Sequence, residues 1–355
     1  MEGLSMVIPA PDKILFIRLK AIGDVVLCTP LIRALRAAYP KAQIDFLADS
    51  TPAVLLQNNP RLTKVLAAPA KGAPLSAQWK FIKQLRQTHY DLVFDLFGNP
   101  RSAWMALLSG APARAGYAYR GRKWAYTHPV PLNRVRKYQV EVNLDVLRYL
   151  GIPDAGIDTE IFLTDEEKKE GKRLLRSLGL DEAKNARIGL NPTGTWSAKR
   201  WPAALWRELI LKTQQQLGVK PLLLTGPGDE ALLSEIIQGL EDKVIVAPAT
   251  HLRQLGGILS GLDLLVGNDG APQHMAQALG VKSLTLFGPT WGISWNKPGD
   301  PRHRFLQDAP DCGPCDKTLC PNPQQAPAGS NGYQECLTRI TPSKVLNQMK
   351  ELLIP

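Results

Sequence analysis

No segment of the 355-residue chain is apolar over the roughly 18 consecutive residues that a membrane-spanning helix needs. The first residues, MEGLSMVIPAPDK, also lack the basic start and long apolar core of a secretory signal peptide. The sequence has no repeat of solenoid length, and its one loop-like stretch of low complexity is NPQQAPAGSNG near the end. These absences predict a cytoplasmic globular protein.

Cysteine is scarce and unevenly distributed. Four of the five cysteines follow the spacing C-x2-C-x4-C-x15-C, and the fifth, Cys28, lies on an apolar helix face and is interpreted as a core thiol. Because the cytosol disfavours stable disulfides, we interpret the cluster first as a structural metal site holding zinc and second as reducible thiols, with no catalytic role in either case. The candidate ligands are Cys312, Cys315, Cys320 and Cys336.

The composition is that of a folded protein with an unusual charge. Hydrophobic residues make up 44% and charged residues 21% of the chain, so disorder is not expected, and the length favours two domains. The net charge of +11 and the pI near 9.4 predict an anionic partner, which is nucleic acid, a phospholipid surface or a phosphorylated substrate.

The most informative stretch is 264–290, LLVGNDGAPQHMAQALGVKSLTLFGPT, which predicts a strand, a glycine turn, a short helix, a second strand and a loop. This is half of a doubly wound parallel sheet, whose ligands bind outside the carboxyl ends of the strands. Free N–H groups and the helix dipole make the first loop suitable for a phosphate. The alternative is an ordinary turn in which Asp269 only caps the helix.

The N-terminal part of the chain has its own polar groups at strand ends. Asp24 follows the strand KILFIRL, where it either caps a helix or projects over the carboxyl edge of the sheet. Asn99 and Arg101 follow the strand in YDLVFDLFGN and belong to the same edge. The segment RAGYAYRGRKWAY interleaves basic and aromatic residues, which fits single-stranded nucleic acid, a phosphorylated sugar at a membrane surface, or a solvated basic loop.

A second domain begins near residues 155–185 and repeats this organisation. The strand ARIGLNP leads into a loop that carries Lys199 and Arg200, a pair that is either surface charge or directed at a ligand. Asp229 and Glu230 follow the strand in PLLLTGPG, where acidic side chains either accept ribose hydroxyls or favour the helix dipole.

The phrases IGDVVLCTP, DLFGNPRSA, KRWP, NDGAPQH, FGPT and CGPC occur in an order that closely resembles the heptosyltransferase family, glycosyltransferase family 9. The resemblance implies an α/β fold of GT-B architecture, with two Rossmann-like doubly wound domains facing across a cleft. Residues 1–165 would bind the acceptor and residues 166–340 the nucleotide sugar. The helix at 341–355 would return to the N-terminal domain.

The resemblance also implies an activity, which is inverting, metal-independent transfer of a heptose from ADP-heptose to the phosphorylated inner core of lipopolysaccharide. The enzyme would be peripheral to the cytoplasmic face of the inner membrane and would need no cofactor for catalysis and no nucleic acid. Asp24 matches the family's catalytic base. The implied donor-binding residues are Thr195, Lys199, Asp229, Glu230, Asp269, Gly270, Ala271, Pro272 and His274. The implied acceptor-binding residues are Asn99, Arg101, Arg120, Arg122 and Lys123.

The sequence departs from the family pattern after Asp269, where Gly270 and Ala271 replace the usual serine or threonine and glycine. A hydroxyl contact to the donor is thereby lost. Two other functions remain open on the residues alone. A GT-B nucleotide-sugar epimerase would need no acceptor site, and a nucleic-acid-binding protein would use the basic and aromatic segment.

Overall fold

The computed structural model describes residues 10–118, 121–132, 135–180, 186–320 and 334–354. The chain divides into two compact units, Met1–Phe162 and Leu163–Pro355. The sequence prediction placed this division after residue 165.

The N-terminal unit is an α/β domain built on a parallel sheet. Its strands are β1 Lys13–Ile17, β2 Gln43–Asp49, β3 Lys64–Ala68, β4 Leu92–Asp95, β5 Ala113–Tyr117 and β6 His128–Val130. Its α-helices are α1 Ile22–Val26, α2 Thr29–Ala38, α3 Ser50–Ala53, α4 Leu75–Gln87, α5 Pro100–Leu108 and α6 Gln139–Tyr149, and the short 3₁₀ turns are Val54–Leu56 and Lys123–Ala125.

This first sheet has the strand order β3-β2-β1-β4-β5-β6. Successive side chains of a strand point to opposite faces, so that the rings of Phe16, Phe46 and Phe94 stack at 5.4 Å separations on one face. The other face contributes Leu15 and Ile17 to a core that includes buried residues of α4 and α5. Because helices cover both faces, the strands are continuous apolar runs rather than alternating ones.

The C-terminal unit repeats the plan. Its strands are β7 Ile188–Asn191, β8 Leu222–Leu223, β9 Ile245–Val246, β10 Leu264–Asn268, β11 Lys282–Phe287 and β12 His303–Gln307. Its α-helices are α7 Asp165–Ser177, α8 Ala203–Leu217, α9 Glu230–Ile237, α10 Leu252–Leu259, α11 Ala271–Ala278, α12 Gly292–Trp295, α13 Glu335–Thr338 and α14 Pro342–Leu353, and Ser197–Lys199 form a 3₁₀ turn.

The second sheet is also parallel, with the order β12-β11-β10-β7-β8-β9. Numbered within its own unit, each sheet therefore has the strand order 3-2-1-4-5-6 of the Rossmann fold, which confirms the predicted fold class. The strand order reverses between β1 and β4 in the first sheet and between β7 and β10 in the second. Ligands of such sheets bind at this switch point.

The terminal helix α14 packs on α8, β10 and β11 within the C-terminal unit. Its return to the N-terminal domain stays a prediction. Val345 and Met349 share a core with Trp201 and Trp206, whose rings meet edge to face at 4.9 Å. Burial of large side chains of this kind stabilises a fold by about 1.5–3 kcal/mol each, so this apolar surface is a strong attachment for the helix.

Within the described ranges, no helix combines the length and apolar character needed to cross a bilayer.

Candidate functional site

The switch point of the second sheet is held together by Asn268, the last residue of β10. Its amide nitrogen donates to the carbonyl oxygen of Pro192 at 2.7 Å, and its amide oxygen accepts from the backbone N–H of Trp201 at 3.2 Å. The loop after β7 is thereby tied at both ends to the strand that leads into α11. This fixes Lys199, which lies in that loop, relative to the start of α11.

Lys199 and Asp269 form the centre of this switch point. The Lys199 ammonium lies 2.6 Å from Asp269 Oδ2, and the two side chains are 16% and 5% exposed. The same carboxylate oxygen accepts a 2.7 Å hydrogen bond from the hydroxyl of Thr290, which follows β11. The ammonium also lies 4.4 Å from the centre of the Trp196 ring. A buried carboxylate requires such partners, and an ammonium has three donors, so Lys199 can bind Asp269 and an incoming phosphate together.

The start of α11 is the predicted phosphate loop. Gly270 is the N-cap residue in an extended conformation, and Ala271 and Pro272 are the first two residues of the helix. A Cβ atom added at Gly270 would meet no heavy atom closer than 3.8 Å. The serine or threonine of the family pattern would therefore fit here, and its absence is not dictated by packing.

Two side chains of α11 are buried at the same place. His274 is buried with its ring 6.2 Å from that of Trp295. Gln273, which the sequence analysis did not select, is also buried, and neither of its amide atoms has a hydrogen-bond partner among the described residues. An unpaired buried amide costs roughly 1–3 kcal/mol, so Gln273 is suited to receive a polar ligand group.

The remaining predicted donor residues lie on neighbouring strand ends. Asp229, before α9, is 3.6 Å from the guanidinium of Arg200, and its burial raises the pKa of its carboxyl while Arg200 lowers it. Glu230 accepts from the backbone N–H of Gly228 at 3.3 Å and is exposed. Thr195 is exposed in the loop that carries Lys199.

A cavity of about 440 Å³ opens next to the carboxyl end of β9. The loop residues Pro248, Ala249 and Thr250 line one side, and Gly171 and Leu174 of α7 line the other. A partly apolar cavity of this size suits an aromatic heterocycle.

The cysteine-bearing segment contacts both phosphate-site loops. The backbone N–H of Asp316 donates to the carbonyl oxygen of Pro289 at 2.8 Å, and the Gln334 side chain donates to the carbonyl oxygen of Ser197 at 2.6 Å. The segment thus supports the loops of Thr290 and Lys199. The sequence did not indicate that this segment hydrogen-bonds to the loops of the predicted donor site.

The zinc site at the four clustered cysteines stays a prediction. All four clustered cysteines are described, and no group of three or more His, Cys, Asp or Glu residues in the described ranges is placed to hold a metal ion. The pKa of the Cys336 thiol is raised to about 12, first by burial and then by the charges of Cys320, Cys315 and Cys312. A thiol with this pKa is a poor nucleophile at neutral pH.

The fifth cysteine, Cys28, is fully buried, as expected of a core thiol. Its burial raises the pKa of this thiol to about 12 as well.

The switch point of the first sheet carries Asp24. This residue is third in α1, and its Oδ2 accepts from the backbone N–H of the N-cap residue Ala21 at 3.0 Å, so Asp24 supports the helix start without being the N-cap itself. Its other oxygen lies 2.8 Å from the guanidinium of Arg18, and the two side chains are 19% and 15% exposed. Arg18 also donates to the carbonyl oxygen of Leu96 at 2.6 Å and lies over the Phe97 ring. The carboxylate is therefore held in one orientation while still reaching solvent.

Asp95, fully buried at the end of β4, shapes the loop on the other side of this switch point. One of its oxygens accepts from the backbone N–H groups of Phe97 and Gly98 at 3.0 Å each, and the other accepts from the Tyr126 hydroxyl at 2.8 Å. Burial raises the pKa of the Asp95 carboxyl, and these hydrogen bonds oppose the rise. Neither Asp95 nor Tyr126 was selected from the sequence, although both belong to segments that were.

The predicted acceptor residues are spread along this edge. Asn99 caps α5 by accepting from the backbone N–H of Ser102 at 2.8 Å. Arg101 donates to Asp49 at 3.0 Å and to the carbonyl oxygen of Pro69. Arg122 donates to the carbonyl oxygen of Gly98 at 2.8 Å.

Lys123 is exposed at the start of the 3₁₀ turn, and Arg120 lies outside the described residues. Arg122 and Arg18 thus contact the same loop, 96–99, from two sides. Asn99 and Arg101 have structural partners of their own, and an acceptor role for all these residues stays a prediction.

Comparison with known proteins gives consistent results. A sequence profile described as Glycosyltransferase family 9 (heptosyltransferase) matches residues 78–326. Lipopolysaccharide heptosyltransferase 3 of Escherichia coli (strain K12) is 33% identical over 290 residues, which cover 77% of this chain and 81% of that protein.

Two solved structures share the fold over nearly the whole chain. The structure of E. coli ADP-heptose LPS heptosyltransferase II aligns with a TM-score of 0.74 and 23% identity, covering 96% of this chain and 98% of that one. E. coli heptosyltransferase WaaC with ADP-2-deoxy-2-fluoro heptose aligns with a TM-score of 0.68 and 21% identity, covering 96% and 99%. The two Rossmann-like units therefore constitute the predicted GT-B architecture.

Proposed function

Because the chain belongs to glycosyltransferase family 9, the heptosyltransferase family, we propose that it transfers a heptose from ADP-heptose to the phosphorylated inner core of lipopolysaccharide. The observation that carries the proposal is the Lys199–Asp269 pair beside Thr290 at the start of α11. It places a held cation and a helix N-terminus together at a switch point, where a nucleoside diphosphate binds in this fold.

On the donor side, Lys199 and the start of α11 would bind the diphosphate. Negative charge develops on the leaving ADP as the bond to the anomeric carbon breaks, and a positioned cation stabilises that charge. Gln273 would pair its amide with a polar group of the donor. Asp229 would accept ribose hydroxyls, and the cavity at Ala249 and Thr250 would receive the base.

On the acceptor side, Asp24 would act as the general base. Its carboxylate takes the proton of the acceptor hydroxyl as that oxygen attacks the anomeric carbon, the bond to ADP breaks, and the configuration at this carbon inverts. Arg18 would keep the carboxylate oriented toward the acceptor. Arg122 and Lys123 would contact phosphate groups of the core, whose charge matches the net charge of +11.

We further propose that the enzyme works in the cytoplasm at the surface of the inner membrane, where a lipid-linked acceptor is accessible. The reaction would need no cofactor, because protein groups serve as base and as diphosphate ligands. Addition of a chelator should then leave the rate of transfer unchanged. No part of this function calls for nucleic acid.

A donor screen followed by a transfer assay tests the proposal. A ligand at 100 times its Kd stabilises a protein by about 2.7 kcal/mol. ADP and ADP-heptose should therefore raise the melting temperature, whereas UDP- and GDP-sugars, which should not bind, should leave it unchanged. Mass spectrometry should then detect one added heptose on heptose-deficient lipopolysaccharide. Interconversion of a free nucleotide sugar without an acceptor would instead identify an epimerase and overturn the proposal.

A further inference from the structure

The net positive charge of the protein is concentrated in one part of the chain. Residues 50–140 contain 14 Lys and Arg residues and two acidic ones, Asp91 and Asp95. The net positive charge of this stretch slightly exceeds that of the whole protein, so the rest of the chain is close to neutral. Both acids are engaged locally, Asp95 in the loop described above and Asp91 with the backbone N–H groups of Asp12 and Lys13. A positive field therefore belongs to the N-terminal unit alone.

The same stretch exposes large aromatic side chains. Trp79, Trp104 and Trp124 are 63%, 51% and 49% exposed, whereas Trp201 and Trp206 are fully buried. The centres of the Trp104 and Trp124 rings lie 4.9 Å apart, and the ring planes are inclined at 56°. Leu75, Leu132 and Val135 are also exposed in this stretch. Exposed apolar side chains that are contiguous over a large area mark an interaction site.

The exposed tryptophans occur on connected elements. Helix α4 packs against α5, and α5 packs against the 3₁₀ turn Lys123–Ala125. Trp79 is the fifth residue of α4 and Trp104 the fifth of α5. Because both helices follow strands of a parallel sheet, their first turns lie at its carboxyl edge. Asp24 lies at the same edge.

Lysines accompany the tryptophans on this face. Lys80 and Lys83 are exposed on α4 beside Trp79, and Lys123 is exposed beside Trp124. Tryptophan rings favour the interface between lipid and water, and lysines near it are attracted to anionic headgroups. A folded protein partner would gain little from lysines dispersed among the rings, because lysine is depleted in protein interfaces.

We propose that α4, the first turns of α5 and the turn at 123–125 form a membrane-binding face that docks on an anionic phospholipid bilayer. The tryptophans insert at headgroup level, and Lys80 and Lys83 contact lipid phosphates. This inference rests on the proposed function in one respect, because the role of the face is to bring a lipid-linked acceptor to Asp24. A sugar held near the bilayer then extends over the same sheet edge without leaving the membrane.

Vesicle binding tests the face without reference to catalysis. Wild-type protein should co-sediment with phosphatidylcholine vesicles that contain about 30% phosphatidylglycerol and should remain in solution with phosphatidylcholine alone, because lysines are attracted by anionic lipid. Lys80→Glu/Lys83→Glu and Trp79→Ala/Trp104→Ala should each weaken binding about tenfold or more. Equal binding to neutral and anionic vesicles, or unchanged binding by both variants, would overturn the inference.

Matched controls separate the face from general effects. Lys169→Glu/Lys220→Glu makes the same change of net charge at exposed lysines of the C-terminal unit, and Tyr149→Ala removes an exposed aromatic ring from α6. Both controls should bind vesicles like the wild type, and all variants should keep the circular dichroism spectrum and melting curve of the wild type, which confirms their folding. A control that weakens vesicle binding as much as the face variants would contradict the assignment.

The same variants also distinguish other possible binding partners of this face. If the face variants change only the sedimentation coefficient, the surface joins two copies of the chain. If they lose only binding to a single-stranded oligonucleotide, it binds nucleic acid. Either result overturns the membrane assignment. Failure of heptose transfer with normal vesicle binding would instead reject the proposed function and leave the membrane face in place.

Discussion

The two switch points carry the same kind of ion pair with the roles exchanged. In the N-terminal unit Arg18 holds Asp24 at 2.8 Å, and in the C-terminal unit Asp269 holds Lys199 at 2.6 Å. In the proposed reaction the carboxylate acts in the first pair and the cation in the second. Each acting group is thus oriented by a partner of opposite charge that does not itself react.

The pairs also differ in burial. Asp269 is nearly inaccessible and receives a second hydrogen bond from Thr290, whereas both members of the Arg18–Asp24 pair keep some contact with solvent. A site for a small diphosphate can be enclosed on several sides. A base that must reach the hydroxyl of a large glycolipid has to stay open. This difference in burial predicts that substitutions at the two pairs will have different effects on the rate of transfer and on ADP binding.

Removal of the base should have the largest effect. Asp24→Asn keeps the size of the side chain but cannot accept the proton, and general base catalysis contributes about 10²–10⁴-fold. We expect the rate of transfer to fall at least about 10³-fold. The Kd for ADP, measured by calorimetry, should be unchanged. A variant with near-normal turnover would remove Asp24 from the mechanism.

Removal of the cation should come next. Lys199→Ala deletes the group that stabilises the leaving diphosphate, a loss that typically lowers kcat by about 10²–10³-fold. Unlike Asp24→Asn, it should also weaken ADP binding, and Lys199→Arg should recover part of both. Steady-state kinetics and ADP titration on the three proteins check this pattern. Normal ADP affinity in Lys199→Ala would contradict the donor assignment.

Loss of the partner of the base should have an intermediate effect. Arg18→Ala leaves Asp24 in place but removes the contact that orients its carboxylate, and misorientation of a reacting group can cost up to about 10²-fold. We expect kcat to fall by about 10–10²-fold with the KM for donor unchanged. Arg18→Lys should be milder because it keeps the charge. An effect on donor KM alone would place Arg18 in another role.

Gln273 should show opposite effects on stability and binding. Gln273→Leu replaces an unpaired buried amide, so the free protein should melt at a higher temperature. Donor affinity should fall about tenfold, the equivalent of one hydrogen bond of about 1.4 kcal/mol. Melting curves with and without ADP-heptose check both effects. Lower stability of the free variant would show that the amide has a structural partner.

Substitution of Asp229 should have the smallest effect, and its effect on the melting temperature should depend on pH. Its folded-state pKa is raised, first by burial, so the folded protein holds this proton to higher pH than the unfolded chain. Ionisation therefore costs stability as pH rises from about 4 through the raised pKa. Asp229→Asn should melt slightly above the wild type at pH 7, and the difference should vanish below about pH 4. Melting curves from pH 3 to 8 check the sign, and a lower melting temperature at pH 7 would contradict it.

Much of the fold and of the donor site was predictable because the relevant residues are close in sequence to strand ends. A glycine turn after an apolar run places Asp269 at the carboxyl edge whatever the rest of the chain does. Lys199 follows another strand of the same parallel sheet, so the meeting of the two was implied by topology. Their roles, like those of the other site residues, stay predictions until they are tested.

The unpredicted features depend on contacts between distant segments or on burial. Tyr126 reaches Asp95 across 31 positions, and no local pattern indicates such a pair. The spacing of apolar residues in α14 predicted a helix, but an apolar helix face can pack on any apolar surface. Only the structure shows that this face packs in the core that contains Trp201 and Trp206. The unpaired amide of Gln273 and the distances among the four cysteines are likewise invisible in the sequence.

The anomeric configuration of the product shows whether the proposed base and the proposed diphosphate site accomplish a single displacement. ADP-heptose labelled with ¹³C at the anomeric carbon would be mixed with heptose-deficient lipopolysaccharide and followed by NMR. We expect one ADP released per heptose transferred and a product of inverted configuration, as a single displacement requires. A product of retained configuration would contradict it.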